Sequence, residues 1–195
     1  MKRLVSFFAG VVMLLALTAC QSSDSGAALR HAQIEIEDYG TVTVELYADQ
    51  APETVANFIS LAESGFYDGL TFHRMQEGFV LQGGDPNGNG TGNADKTIKG
   101  EFLANGVDNT LSHTTGVLSM ARGNDYNSAS CQFFIVLSDQ YTASLDGLYA
   151  GFGKVTEGMD IIQKIAADAS AHAADSFGTL PTAYQPVIKT IKVLD

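Results

Sequence analysis

Phe72-His73-Arg74-Met75-Gln76-Glu77-Gly78-Phe79-Val80-Leu81-Gln82-Gly83-Gly84-Asp85 is the stretch from which the rest of the chain is read. It sets one permanent cation, Arg74, and one carboxamide, Gln82, into apolar surroundings. The two lie eight residues apart. Along an extended run that even offset sends both side chains off the same face of a sheet, provided no bulge intervenes. Phe72, Phe79 and Val80 are close by. An always-charged planar fork beside aromatic surface suits a ligand that is apolar in bulk and has one polar group to be held. The competing reading is an arginine stem laid along a strand, with the glutamine at a solvated edge.

Outward from this stretch the chain alternates in the manner of strands. Gln33-Ile34-Glu35-Ile36-Glu37 and Thr41-Val42-Thr43-Val44-Glu45-Leu46-Tyr47 flank the turn Asp38-Tyr39-Gly40, which predicts a hairpin. Pro52 suits a first helical turn; Val55, Phe58, Ile59 and Ala62 share a helix face, and Gly65 marks the stop. Short strands are expected around 70–75, 79–82, 97–100, 117–121, 132–137 and 151–155. A second helix is expected over 158–167, and Val187 to Val193 gives a last strand. Many strands with two helices predict a mainly β domain closed into a barrel, which removes sheet edges.

Four further blocks accompany the opening stretch: Gly116-Val117-Leu118-Ser119-Met120-Ala121-Arg122, Ser130-Cys131-Gln132-Phe133-Phe134-Ile135, Leu145-Asp146-Gly147, and Phe152-Gly153-Lys154-Val155-Thr156-Glu157-Gly158. In this order, over roughly 33–195, the chain resembles the cyclophilin family of peptidyl-prolyl isomerases. The resemblance implies a closed eight-stranded antiparallel β-barrel with a helix over each end, a packed interior and a groove on the outer surface. It implies rotation of X-Pro bonds without cofactor, nucleophile or metal. Arg74 would act on the twisted amide, Gln82 would hold the substrate carbonyl or backbone, and His73 would order Arg74. Phe79, Val80, Phe134 and Leu145 would take the proline ring, with Gln132 and Tyr149 also at the substrate site. Backbone groups of Ala121 and Arg122 would pair with the substrate chain as an added strand.

The chain departs from the family in places. Ser144 stands where many members carry an aromatic, Tyr149 where a His is common, and Arg122 where Asn is common. The loop 123–130 is one residue longer than in common members. The Arg74/Gln82 pair is untouched, so these changes bear on the pocket rim and on macrocycle binding more than on the reaction. A module that binds proline-containing segments as a chaperone or scaffold, with little turnover, is the alternative to an active isomerase.

The N-terminus is a separate matter. Lys2 and Arg3 precede the largely apolar run 4–19, short for a membrane span, and Leu17-Thr18-Ala19-Cys20 follows the pattern of a bacterial lipobox. Residues 1–19 are thus expected to be a cleaved signal peptide. Cys20 would be lipidated, residues 20–30 a tether, and 31–195 the folded domain. The protein would be exported and anchored by lipid outside the cytoplasmic membrane, periplasmic or at the cell surface, and its partners would be proline-containing segments of exported or unfolded chains. A monomer is the default expectation.

The net charge of −11 argues against nucleic acid as a partner and against an electrostatic hold on an anionic membrane. Two cysteines, Cys20 and Cys131, give neither a disulfide scaffold nor a metal framework. The loop Asp85-Pro86-Asn87-Gly88-Asn89-Gly90-Thr91-Gly92 opens like a calcium loop, yet puts Lys96 at its twelfth position where a carboxylate is needed. It lacks the Gly-Lys-Ser/Thr ending of a phosphate loop. A turn-rich loop bordering the groove is the reading that remains.

Overall fold

The computed structural model describes residues 29–195. The expected signal peptide, Cys20 and most of the tether therefore lie outside the described residues. The first strand begins at Arg30.

Two alternating strands, β1 (Arg30–Ile36) and β2 (Gly40–Leu46), form the predicted hairpin. Ala32, Ile34 and Ile36 from one, with Val42, Val44 and Leu46 from the other, are buried on a common face. Helix α1 (Pro52–Glu63) follows, with Val55, Phe58 and Ala62 turned into the same core. Its N-cap, Ala51, supplies no side chain. A distant carboxylate does so instead: Glu101 accepts hydrogen bonds from the backbone N–H of Glu53 (3.0 Å) and Thr54 (2.7 Å) and from the Thr54 hydroxyl (2.7 Å). An anion at this end satisfies orphan donors and meets the positive end of the helix dipole.

The remaining strands are β3 (Arg74–Gln76), β4 (Val80–Gly83), β5 (Val117–Met120), β6 (Phe133–Val136), β7 (Gly151–Glu157) and β8 (Ile188–Val193). Between β6 and β7 lies the one-turn helix α2 (Thr142–Leu145), which the sequence pattern did not predict. Helix α3 (Met159–Ser170) buries Ile162, Ile165 and Ala169 and runs three residues past the expected end. The strand expected at 97–100 is reduced to one bridge, Ile98 with Ala129.

All eight strands join one antiparallel sheet in the order β3-β4-β6-β5-β7-β2-β1-β8. The closed barrel expected from the sequence is corrected here: the sheet is an open, curled half-barrel. Its outer strands β3 and β8 do not share a ladder. Each edge is covered by irregular chain instead. Met75 N–H donates to Gly178 O (2.8 Å) and Leu180 N–H to His73 O (2.9 Å) beside β3, while Gly69 and Leu70 exchange hydrogen bonds with Ile188 of β8. A three-residue strand is too short to complete a barrel seam, and loop backbone satisfies the exposed groups at equal chemical value.

The sheet sorts its residues between two faces. Leu81, Leu118, Phe133 and Ile135 enter the main core inside the curl, with both long helices. Their strand neighbours Val80, Val117, Phe134 and Val136 form a second apolar cluster with Leu145, against which Phe79, Ala121 and Tyr149 pack. The groove is on this outer face, as period-two alternation requires.

Candidate active site

Arg74 and Gln82 are direct cross-strand partners in the β3–β4 pair. They share a face because the chain turns back at Glu77-Gly78, not because one extended run carries both. Gly78 sits at φ 65°, a left-handed turn position that suits glycine. Gln82 is in turn paired with Phe134, and Phe134 with Ser119. One row across three strand boundaries thus holds the cation, the amide and the aromatic floor.

The guanidinium is held at three of its corners. Nε donates to Phe177 O (2.7 Å), Nη1 to Gln82 Oε1 (3.0 Å) and Nη2 to Gln76 Oε1 (2.5 Å). Its centre lies 5.8 Å from the Phe79 ring centroid. Burial draws the Arg74 pKa downward, against the opposing pull of Tyr149 and Asp175, but an arginine stays charged. Gln82 Nε2 passes the chain on to Gln132 Oε1 (3.0 Å). Gln132 Nε2 is anchored on the carbonyls of Gly92 (2.8 Å) and Gly90 (3.2 Å). Each amide is thereby fixed in orientation by the next.

Beside this pair opens a pocket of about 120 Å³ lined by Arg74, Phe79, Val80, Gln82, Ala121, Arg122, Phe134, Leu145 and Tyr149. Phe134 forms the floor and is 4% exposed. Tyr149 stands edge-on to it (centroids 5.8 Å, planes at 81°). Beneath the floor a relay runs from the exposed Asp146 through buried His113 to buried Ser119: Asp146 Oδ1 to His113 Nδ1 2.8 Å, His113 Nε2 to Ser119 Oγ 2.9 Å. Burial lowers the His113 pKa against the pull of Asp146. At Asp146 burial acts upward, but donors from His113 and Ser112 outweigh it and the net shift is downward. A neutral His113 giving Nδ1–H to the carboxylate and accepting from the Ser119 hydroxyl fits both directions. The relay ties α2, which carries Leu145, to the strand beneath Phe134.

The sequence expectations meet the geometry unevenly. Arg74, Gln82, Phe79, Val80, Ala121, Arg122, Phe134, Leu145 and Tyr149 converge on one pocket. Gln132 lines the adjoining, more polar pocket of about 250 Å³, together with Gln82, Asn93, Ser128 and Ser130. His73 points into the interior and is 2% exposed. Its ring nitrogens have no hydrogen-bond partner among the described residues, so it orders Arg74 by no side-chain hydrogen bond. The Ala121 N–H is already given to Gln132 O (2.9 Å), which removes it from any pairing with a substrate strand.

Gln76, Phe177 and the His113 relay were not expected. Gln76 was legible, standing two residues from Arg74 on the same strand face. Phe177 acts through its backbone carbonyl, and a backbone acceptor leaves no trace in side-chain identity. Asp85, which opened the calcium-like pattern, spends its carboxylate on the N–H groups of Asn87, Asn89 and Gly90. Among the described residues no group of three His, Cys, Asp or Glu is placed to hold a metal ion.

Known proteins resemble this chain both in sequence and in fold. The family described as "Cyclophilin type peptidyl-prolyl cis-trans isomerase/CLD" matches residues 31–193. The chain is 47% identical over 131 residues to peptidyl-prolyl cis-trans isomerase B of Bacillus subtilis, covering 67% of this chain and 87% of that protein. It is 43% identical over 127 residues to peptidyl-prolyl cis-trans isomerase-like 1 of Rhizopus delemar, covering 65% and 74%. Among solved structures, a Cryptosporidium parvum cyclophilin-type isomerase superposes with a TM-score of 0.73 at 28% identity, over 86% of this chain and 99% of that one. The same protein crystallised in the presence of the dipeptide Ala-Pro gives 0.70 at 29% identity, over 85% and 99%.

Proposed function

We propose, from the premise that this chain belongs to the cyclophilin-type peptidyl-prolyl cis-trans isomerase family, that it rotates X-Pro bonds with Arg74 and Gln82 set over the outer-face pocket. The enzyme class follows from family membership: the chain is a peptidyl-prolyl isomerase. The residue assignment is argued from the chemistry.

An amide must lose its C–N double-bond character to turn, against a barrier of roughly 18–20 kcal/mol. An enzyme gains rate only by favouring the twisted amide over both planar forms. On twisting, the proline nitrogen regains its lone pair and becomes a better hydrogen-bond acceptor. A guanidinium already fixed in place meets that lone pair without reorganising. Phe79, Val80, Phe134, Leu145 and Tyr149 hold the pyrrolidine ring away from water. The twisted amide is less polar than the planar one, so water exclusion disfavours it least.

One observation carries this reading. A guanidinium has five N–H donors, and three are taken by Phe177, Gln82 and Gln76. The two that remain sit on a cation locked beside an apolar pocket. The test is magnetisation exchange by NMR on an Ala-Pro peptide with parent and Arg74→Ala. Parent catalysis and a loss of about 10²–10³-fold in kcat/KM are expected, the range for deleting one transition-state donor. An Arg74→Ala variant matching the parent would remove Arg74 from the mechanism. A parent that binds the peptide and does not speed exchange would favour the scaffold alternative.

The setting is part of the same proposal. The enzyme works as a monomer outside the cytoplasmic membrane, tethered by acylated Cys20, and acts on proline-containing segments of exported chains. The charged start, the apolar run and Leu17-Thr18-Ala19-Cys20 support this. Mass spectrometry of the mature N-terminus should find a lipid-modified Cys20, and an unmodified terminus beyond Cys20 would discard the tether.

A further inference from the structure

Arg122 is the second arginine of the pocket, and its surroundings differ from those of Arg74. Its guanidinium centre lies 4.6 Å from the ring centroid of Tyr149, 4.8 Å from Tyr126 and 5.2 Å from Phe102. Two of those rings, Phe102 and Tyr126, also meet edge to face at 5.2 Å. The hydrogen bonds of the fork all go to backbone: Nε (3.1 Å) and Nη2 (2.9 Å) donate to Leu148 O, and Nη1 (2.9 Å) to Gly123 O.

Three irregular segments therefore converge on one side chain. The segment after Gly100 contributes Phe102, the 123–128 loop contributes Gly123 and Tyr126, and the segment after α2 contributes Leu148 and Tyr149. Direct ties between them are few: Ala104 N–H to Gly147 O (2.9 Å), Gly100 N–H to Asn127 Oδ1 (3.2 Å) and Asn105 Nδ2–H to the same oxygen (2.8 Å). Arg122 also borders both the proline pocket and its polar neighbour. It is placed to hold the partition between them.

Resting on the assignment of the proline pocket made above, we propose that Arg122 is a positioning residue for substrate binding. By clamping the Leu148 carbonyl and packing on Tyr149, it fixes the Tyr149 edge against Phe134 and so sets the wall that grips the proline ring. It does this through its guanidinium fork and not through charge presented to the substrate. Three consequences separate this from a general structural role. Arg122→Ala raises KM for an Ala-Pro peptide about tenfold while kcat falls much less, because the wall is lost and Arg74 is not. Arg122→Lys keeps a cation among the rings but lacks the planar fork that grips the Leu148 carbonyl with two N–H groups, so it restores KM only in part. Tyr126→Leu removes one ring of the cage without touching either pocket lining, and raises KM by a smaller factor in the same direction.

The experiment is a peptide titration of the four proteins followed by NMR, reading the Tyr149 and Phe134 ring signals, with exchange rates measured on the same samples and folding verified by thermal melts. The expected result is a graded weakening, Ala worse than Lys and Lys worse than the Tyr126 variant, with the Tyr149 ring shifts moving towards averaged values in the same order. If parent peptide binding leaves Phe134 and Tyr149 unshifted, the pocket assignment itself fails. If the parent shifts those rings and folded Arg122→Ala binds with parent affinity, or its kcat falls by as large a factor as KM rises, the positioning role is overturned and the pocket assignment stands.

Discussion

Replacing Gln82 in two ways separates what this side chain does for Arg74 from what it does for the fold. In the native site its carboxamide accepts from Arg74 Nη1 and donates to Gln132, both at 3.0 Å. Gln82→Leu keeps the bulk and removes both bonds. The bond from Arg74 has a charged donor and contributes about 1.5–3 kcal/mol, only part of which the transition state loses. The guanidinium keeps its other two anchors, so kcat/KM should fall by about two- to tenfold. Gln132 Oε1, on a residue only 9% exposed, loses its donor, which costs roughly 1–3 kcal/mol of stability. Gln82→Glu is the sharper test. It turns the Nη1 contact from a bond with one charged partner into an ion pair in which both are charged. That attraction is strongest in the ground state and cancels the field offered to the twisted amide. The predicted loss is about 10- to 100-fold in kcat/KM, larger than for Gln82→Leu. Stability moves the other way, since the ion pair compensates part of what the Gln132 contact loses. NMR exchange with an Ala-Pro peptide gives the rates and urea melts give the stabilities. A Glu variant as active as the parent, or less impaired than the Leu variant, would refute the claim that Arg74 works through uncompensated charge.

Three further outcomes follow from the described contacts. Glu101→Ala strips the distant cap from α1; a loss of about 2 kcal/mol is expected, or about 4–8 °C in Tm, and an unchanged Tm would show the cap to be idle. Gly178→Ala puts a Cβ against Met75 O at a backbone φ of 82°, a left-handed position costing an L-residue about 1–2 kcal/mol, and shifts the loop whose Phe177 carbonyl holds Arg74. Activity should fall with it, and full activity in a folded variant would mean the Phe177 contact is dispensable. Finally, burial holds the pKa values of His73 and His113 below the ordinary 6.5. The unfolded chain takes up protons below about pH 6.5 that the folded chain refuses, so stability is full above that pH and falls beneath it, by at most about 1.4 kcal/mol per pH unit for each histidine. Urea midpoints that stay flat between about pH 7.5 and 5.5 would contradict this linkage.

The sheet was largely legible because its signal is local. Ile34, Ile36, Val42, Val44 and Leu46 alternate cleanly, and their burial follows the alternation. The α1 face was readable from Val55, Phe58 and Ala62. Closure was not, since it depends on whether the two edge strands find each other across the chain. Here loop backbone around Gly178 and Gly69 occupies those edges first. The strand expected at 97–100 failed for a similar reason: only Ile98 finds a partner, and neighbouring Gly100 packs against Phe102 and the Tyr126 backbone. In the site, side-chain identity located the pocket. The contacts that orient the side chains go mostly to backbone carbonyls, at Phe177, Gly90, Gly92, Leu148 and Gly123. Any residue type can offer a carbonyl, so no residue pattern announces these.

The division of the sheet into two faces also bears on how the rate gain can be assembled. A millionfold acceleration requires about 8 kcal/mol. In the proposed mechanism the proline nitrogen offers one lone pair, so one uncommitted N–H of Arg74 engages it and would supply about 1.5–3 kcal/mol as a charge-assisted bond. The remainder falls to the pocket, and a pocket contributes only if it does not relax around the planar amide. Phe134 is suited to that role by its neighbours. Phe133, the next residue, is locked in the main core against Phe58, Tyr67 and Phe72. Ser119 and His113 support Phe134 from below, and Tyr149 packs on it in a T-shaped contact. A floor whose backbone is pinned by the opposite face of the same strand cannot follow the substrate as it turns. On the proposed mechanism, the rigidity that the inner face needs for stability is therefore the same rigidity that would let the outer face discriminate a twisted bond from a flat one.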